Sequence, residues 1–110
     1  MKKVWKNGHY AGYVDVLHNA MKVVLTYKKE NIGMITTGGI HDGEYLRVYS
    51  AKLKFEHRRK GFGIKMYKIL MRHMSPQFVG LATYIPDNVS KRAWKKLKAK
   101  RNGKFLRVKK

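Results

Sequence analysis

The chain is short and strongly basic: its 110 residues include 26 Lys and Arg against six Asp and Glu, giving a net charge of +20. This length leaves room for one compact domain, 1–110, and a hydrophobic content of 44% is ordinary for a folded protein. The absence of cysteine excludes a disulfide framework, a thiolate metal site and a cysteine nucleophile. The apolar runs are all far shorter than the stretch of about 20 residues that a helix needs to cross a bilayer.

The first half of the sequence predicts an antiparallel meander of strands. Strand-forming residues begin at Gly12 and, after a turn at His18-Asn19, continue over 21–27. Glu30-Asn31 predicts the next tight turn, before a strand over 32–37. A further strand is predicted from the alternation over 45–49, and it continues towards Phe55.

The second half predicts the order helix, strand, helix, strand. Apolar residues at helical spacing indicate a helix over 61–74, which Ser75-Pro76 ends because proline cannot continue the hydrogen-bond ladder. The mostly apolar run 78–84 predicts a buried strand. A second helix is predicted to reach Lys100, followed by a strand over 105–108. Its candidate N-caps are Asp87, Asn88 and Ser90.

One loop has the composition of a phosphate site. Arg58-Arg59-Lys60-Gly61-Phe62-Gly63, here called the 58–63 loop, lies between a predicted strand and a predicted helix. Free amides and the positive end of the dipole meet at a helix N-terminus, and glycines let the main chain approach an anion. The dinucleotide fingerprint and the Walker A motif do not fit, because the third glycine and the Gly-Lys-Ser/Thr ending are missing. The alternative is a plain turn on a basic surface.

The 58–63 loop matches a six-residue pattern that has Arg or Gln at its first position, Gly at its fourth and Gly or Ala at its sixth. In this sequence these positions are Arg58, Gly61 and Gly63. In this setting the sequence resembles the GNAT N-acetyltransferase superfamily, and the resemblance extends over 53–64 and 84–97. It implies an α+β fold with a GNAT-like mixed, mainly antiparallel sheet and two main helices. The chain would then be a small or truncated member, with strands where full-length members begin with a strand and two helices.

The resemblance implies that acetyl-CoA or CoA is the cofactor and that the activity is transfer of an acetyl group to nitrogen. The loop amides would hold the CoA diphosphate, and the pantetheine arm would lie along the strand that precedes the loop. The cofactor-binding residues implied by the match are Leu53, Arg58, Arg59, Lys60, Gly61, Phe62, Gly63, Ile64 and Asn88.

The sequence departs from the family at both usual proton-handling positions. Arg47 falls where the common Glu is expected, and Trp94 falls within a residue of the common Tyr. Two carboxylates lie near the expected base, Glu44 just before the same strand and Glu56 beside the loop, and Tyr84 is the nearest alternative acid towards the thiolate. Glu44 and Tyr84 are taken as the candidate catalytic residues. Each residue also has a purely structural explanation: Glu44 would be a surface carboxylate paired with a cation, and Tyr84 would be an aromatic residue of the core.

The charge of +20 favours a polyanionic partner, DNA or RNA, or an acidic protein. The acceptor is therefore predicted to be nucleic acid or an amine associated with it. An alternative is a nucleic-acid-binding protein without catalysis, and a solvated helix face is the structural explanation of the same charges. The five residues taken as the nucleic-acid site are Lys91, Arg92, Lys95, Lys98 and Arg101. Further cations that could contact phosphates are Lys96, Lys100, Arg107, Lys109 and Lys110.

The sequence predicts neither a membrane segment nor a metal site, since the five His residues show no ligand spacing. The start Met1-Lys2-Lys3 is not followed by an apolar stretch typical of a signal peptide. The expected location is the cytoplasm, or the host cytoplasm if the protein is encoded by a phage.

Overall fold

A computed structural model describes residues 1–17, 19–88 and 91–110, with the side chains of 86–88 left out of the description. The elements in chain order are β1 (Lys2–Asn7), β2 (Tyr10–Leu17), β3 (Ala20–Tyr27), β4 (Glu30–His41), β5 (Tyr45–Leu53), a 3-10 turn (Phe55–His57), α1 (Phe62–His73), β6 (Gly80–Asn88), α2 (Lys91–Lys96), β7 (Lys100–Asn102) and β8 (Phe105–Lys109).

The eight strands formed by the described residues join in one sheet, in the order β1-β2-β3-β4-β5-β6-β8-β7. Every neighbouring pair is antiparallel except β5 and β6, which are parallel and connected through α1. The meander from β1 to β5 uses tight turns in which residues such as Gly8, Lys28 and Lys29 adopt positive φ. Turns of this hand match the twist of the strands that they connect.

The core lies between the sheet and the two helices, which cover the same face. α1 buries Met66, Tyr67, Ile69 and Leu70 on this side, and α2 buries Trp94 completely. The strands contribute alternate apolar residues, among them Leu25, Ile35, Leu46, Val48 and Leu81, each 0% exposed. The opposite face of β5, β6 and β8 carries Arg47, Tyr84 and Phe105 instead.

The predicted α+β, GNAT-like fold class is wrong. Strands hold 55% of the residues and helices 20%, so the molecule is principally one eight-stranded mixed sheet to which two helices are added. The cause is the first half of the chain, where five strands follow one another up to Leu53. Each connection in the described part of this meander is a short turn, which leaves no chain for the helices that the resemblance implies there.

Two strands that the sequence does not predict are the edge strands, β1 and β7. Their sequences are Lys-Lys-Val-Trp-Lys-Asn and Lys-Arg-Asn. Cations on an edge strand oppose pairing with another chain, so edge strands do not need the apolar alternation on which strand prediction depends. The predicted strands of the interior and the predicted first helix are present, with bounds that differ by a few residues.

The second helix is shorter than predicted. α2 ends at Lys96, because Lys98 adopts a φ of 61° that an α-helix does not allow. Of the candidate caps, Asp87 and Asn88 belong to β6, and Ser90 lies outside the described residues.

The buried Tyr67 makes stability depend on pH in the alkaline range. Burial raises the pKa of its hydroxyl to about 12, while the hydrogen bond donated by Trp94 acts in the opposite direction. The unfolded chain loses this proton near pH 10 and the folded chain only near pH 12. The contribution of the protonated hydroxyl to the free energy of unfolding is therefore complete below pH 10 and is lost as the pH rises towards 12.

We expect the wild-type protein to lose about 2 kcal/mol more of its unfolding free energy between pH 9 and pH 12 than the Tyr67→Phe variant. Urea unfolding at a series of pH values measures the difference. The same slope in both proteins would show that Tyr67 keeps an ordinary pKa.

Candidate functional site

The 58–63 loop connects the end of β5 to α1. After the 3-10 turn, the Arg58 side chain folds back, and its Nε donates a hydrogen bond of 3.0 Å to the Leu53 carbonyl oxygen. Arg59 and Gly61 then adopt positive φ values of 64° and 81°. Gly61 is the N-cap of α1, in the left-handed conformation that glycine adopts most readily. The chain therefore turns sharply just before the helix begins.

The N-terminus of α1 lacks the usual means of satisfying its first amides. No side chain forms a capping hydrogen bond at Gly61, and the first turn contains no acidic residue. A Cβ placed on Gly61 or on Gly63 would meet no heavy atom within 4 Å, so the space beside both glycines is open. The positive end of a 12-residue helix thus faces accessible space next to Arg58, Arg59 and Lys60.

Aromatic residues hold the loop against the sheet. The Tyr10 hydroxyl and His57 Nδ1 lie 3.1 Å apart, within hydrogen-bond distance. The Phe62 ring packs against Tyr10, with the ring centroids 4.3 Å apart, and its edge approaches Trp5. Tyr27 completes the group, 4.7 Å from Tyr10 and 5.0 Å from His57. The sequence gives no local indication of this support, because its members come from four separate segments.

The parallel strands β5 and β6 lose their regular pairing halfway along. They pair in register from Tyr45↔Gly80 to Val48↔Thr83, but the next pair is Ser50↔Asn88. On its other side β5 has a β-bulge at Tyr49, since Thr36 pairs with Ser50 and Thr37 with Val48. Such bulges redirect side chains and are frequent beside functional sites.

A shallow groove of about 450 Å³ follows β4 and β5 and ends near the loop. Its lining includes Gly33, Thr36, Ser50, Lys52 and Leu53. Because Arg58 donates to the Leu53 carbonyl, the groove and the 58–63 loop meet at this residue. Leu53, predicted as a contact of the pantetheine arm, therefore lies between them.

Lys54, at the same end of the groove, forms an exposed ion pair. Its Nζ lies 2.6 Å from Oε1 of Glu30. The hydrogen bond from Lys54 lowers the pKa of Glu30 and raises that of Lys54. The lining described for the groove contains no carboxylate.

The structure does not bring the two candidate catalytic residues together. Glu44 is exposed in the turn before β5, where its carbonyl oxygen accepts from the Val79 amide. Tyr84 is on β6, four residues beyond Gly80, which pairs with Tyr45. Tyr84 therefore lies about 13 Å along the sheet from the end of β5 at which Glu44 is found. Tyr84 lies one residue after the last regular pair of β5 and β6, whereas Glu44 is at the opposite end of β5 from the loop.

Arg47 and Trp94, which the resemblance placed at or beside the catalytic positions, have other environments. The Arg47 guanidinium lies 4.4 Å from the Tyr49 ring centroid and 5.6 Å from the centroids of Tyr84 and Phe105. Trp94 is 0% exposed, and its Nε1 donates to the Tyr67 hydroxyl at 2.9 Å. Neither residue supplies an acidic group at the point where β5 and β6 part.

The five cations predicted to contact nucleic acid are all exposed. Three are on α2, one follows it, and Arg101 is on β7 with its Nε bonded to the Gly103 carbonyl oxygen. The side chain of Asn88, predicted as a cofactor contact, lies outside the described residues.

Among the described residues, no group of three or more His, Asp or Glu side chains is placed to bind a metal ion. Within the same ranges, neither helix has both the length and the apolar character that crossing a bilayer requires. No protein-family model and no curated protein matches this sequence.

Proposed function

We propose that this protein binds the diphosphate of acetyl-CoA or CoA at the 58–63 loop and transfers the acetyl group to an amine. The single observation that carries the proposal is the uncapped N-terminus of α1, open beside Gly61 and Gly63 and flanked by Arg58, Arg59 and Lys60. Amides at a helix N-terminus bind phosphate oxygens, and adjacent cations increase the local concentration of a polyphosphate. The sequence pattern Arg58, Gly61, Gly63 supports the same ligand.

The groove along β5 supports the position proposed for the rest of the cofactor. It begins at Leu53, beside the loop, and reaches Ser50 next to the bulge at Tyr49. An extended arm in this groove would lie along β5 and end at Ser50, next to the irregular stretch of the pairing between β5 and β6. Leu53, Lys52 and Ser50 are the described residues that would contact it.

Acetyl-CoA, when bound, supplies the activated acyl group that the acceptor nitrogen takes up. Tyr84, just beyond the last regular pair of β5 and β6, is the residue proposed to give a proton to the departing sulfur. The described groove lining offers no carboxylate, so the acceptor amine would attack in its neutral form and release the proton that it loses on acylation to solvent. Solvent would also return a proton to Tyr84 after it has protonated the sulfur. Glu44 has no part in this arrangement, because it lies at the far end of β5.

The cofactor proposal predicts that Gly61→Glu lowers the affinity for acetyl-CoA by at least about 50-fold, because a carboxylate would stand where the phosphates bind. Gly103→Glu is the matched control. Both glycines have positive φ, 81° and 60°, and at both a Cβ meets nothing within 4 Å. The two variants therefore share the charge change and the backbone strain, and only one is at the loop.

Isothermal titration of acetyl-CoA into the three proteins measures this difference. The expected result is binding to the wild type and to Gly103→Glu, with little or none to Gly61→Glu. Equal affinities in the two variants, or no binding to the wild type, would contradict the proposal.

The acceptor is proposed to be nucleic acid or an amine associated with it, because the net charge of +20 favours a polyanion over a neutral small molecule. Release of free thiol from acetyl-CoA in the presence of DNA, tRNA, polyamine or peptide pools identifies the class. With these substrates, the location proposed for the protein is the cytoplasm, or the host cytoplasm if the protein is encoded by a phage.

A second candidate function is nucleic-acid binding without catalysis. It is favoured by five exposed cations on and after α2, Lys91, Arg92, Lys95, Lys98 and Arg101, together with the replacement of both usual catalytic residues. DNA or RNA binding that weakens steeply with salt, with no thiol release from any pool, would support this candidate over the transferase.

A further inference from the structure

The open face of the sheet, opposite the two helices, carries a group of aromatic and arginine side chains. We name it the aromatic–arginine face and define it by Arg47, Tyr49, Tyr84, Phe105 and Arg107. Cross-strand pairing places four of them on one side of the sheet, since Arg47 pairs with Ala82, Ala82 with Arg107, and Tyr84 with Phe105. Tyr49, at the bulge of β5, joins this group through its ring contact with Arg47. Directly opposed residues project to the same side of a sheet, so three neighbouring strands contribute to one surface.

Within this face, guanidinium groups contact aromatic rings, and the rings contact one another. Arg47 approaches three rings, with Tyr49 closest at 4.4 Å and Tyr84 and Phe105 each at 5.6 Å from centroid to guanidinium carbon. Tyr84 and Phe105 lie 5.4 Å apart, and His41 stacks on Phe105 at 3.9 Å. Arg107 covers the ring of Tyr45 at 4.7 Å and pairs with Asp42.

The face is positively charged and partly accessible, since Arg47, Tyr84, Phe105 and Arg107 are half-buried. Tyr49 is 43% exposed although it lies in the interior of the sheet, between β4 and β6. The row formed by Arg47, Ala82, Arg107 and Lys100 carries three cations across four strands. The carboxylate of Asp42, paired with Arg107, offsets only part of this charge.

We propose that the aromatic–arginine face binds single-stranded nucleic acid by stacking bases on Tyr49, with Arg47, Arg107 and Lys100 contacting phosphates. Sheets that expose aromatic rings among cations bind single strands in this way, because unpaired bases offer flat faces and the backbone is anionic. A duplex offers phosphates but no free base faces, so charge alone would not distinguish it from a single strand. The inference does not depend on CoA binding, since none of its evidence comes from the 58–63 loop.

The test compares Tyr49→Leu, Tyr49→Phe and Phe55→Leu with the wild type by fluorescence anisotropy. The probes are labelled oligothymidine, oligouridine and a DNA duplex of equal length, each measured without CoA at 50 mM and 200 mM salt. Phe55→Leu is the matched control, because Phe55 is an exposed ring, 79% accessible, that also lies beside an arginine, 5.8 Å from Arg58. None of these substitutions changes the charge.

Tyr49→Leu is expected to weaken binding of one or both single strands by about tenfold while leaving duplex binding and the salt dependence unchanged. Tyr49→Phe and Phe55→Leu should stay within about twofold of the wild type. Comparison of oligothymidine with oligouridine distinguishes DNA from RNA. Equal binding by Tyr49→Leu and the wild type, an equal loss on duplex and single strand, or no single-strand binding at 50 mM salt would overturn the proposal.

Discussion

Gly80→Ala is expected to lower the free energy of unfolding by about 4 kcal/mol, enough to unfold much of a small domain. Gly80 begins β6 and pairs with Tyr45 of β5 on one side and Lys109 of β8 on the other. A Cβ at this position would overlap the Val108 carbonyl oxygen and lie 2.7 Å from the Lys109 Cα. Because both obstacles are backbone atoms, the methyl group fits only if β8 moves away from β6.

Gly63→Ala is the control for this substitution. Its Cβ meets nothing within 4 Å, and the residue is the second of α1, where alanine is favoured over glycine. We expect its stability to be unchanged or to rise by about 0.5–1 kcal/mol. Urea unfolding followed by tryptophan fluorescence compares the three proteins. If Gly80→Ala were as stable as Gly63→Ala, the close pairing of β6 with β8 would be wrong.

The interior strands and the first helix could be predicted because their periodicities are local. Alternation over 45–49 and helical spacing over 61–74 both reflect one buried face, and each is present as β5 and α1. The fold class could not be predicted in the same way. The resemblance extends over 53–64 and 84–97, from the end of β5 onwards, and the helices it implies for the first half are replaced by the meander from β1 to β5.

The candidate site was predictable to a similar extent. The loop, its glycines and its position before α1 followed from the sequence, because strand, glycine and helix are adjacent in the chain. The support from Trp5, Tyr10 and Tyr27 depends on contacts across the sheet and had no local indication. The same holds for the aromatic–arginine face, where Arg47 and Phe105 are neighbours only because β8 pairs with β6.

The register also explains why Glu44 was a poor candidate. Counting back from the loop gave Arg47 as the expected position of the base, and Glu44 was chosen because it lies just before the same strand. A strand, however, advances about 3.3 Å per residue. Eight residues from Tyr45 to Leu53 therefore separate the two ends of β5 by about 26 Å. Sequence proximity to a strand does not specify which end of the strand faces the reacting atoms.

Trp94→Ala is expected to cost about 3–5 kcal/mol of stability, because Trp94 is fully buried and is the only residue of the six-residue α2 described as buried. The substitution would leave a cavity between α2 and α1 and would remove the donor of the 2.9 Å hydrogen bond to the Tyr67 hydroxyl. A buried hydroxyl without its partner adds to the cost.

Trp5→Ala is the matched control in the same chain, since Trp5 is only half-buried, and we expect it to cost about half as much. Thermal and urea unfolding followed by circular dichroism measure both. Equal losses in the two variants would show that Trp94 does not join α2 to the core in the way its contact with Tyr67 indicates.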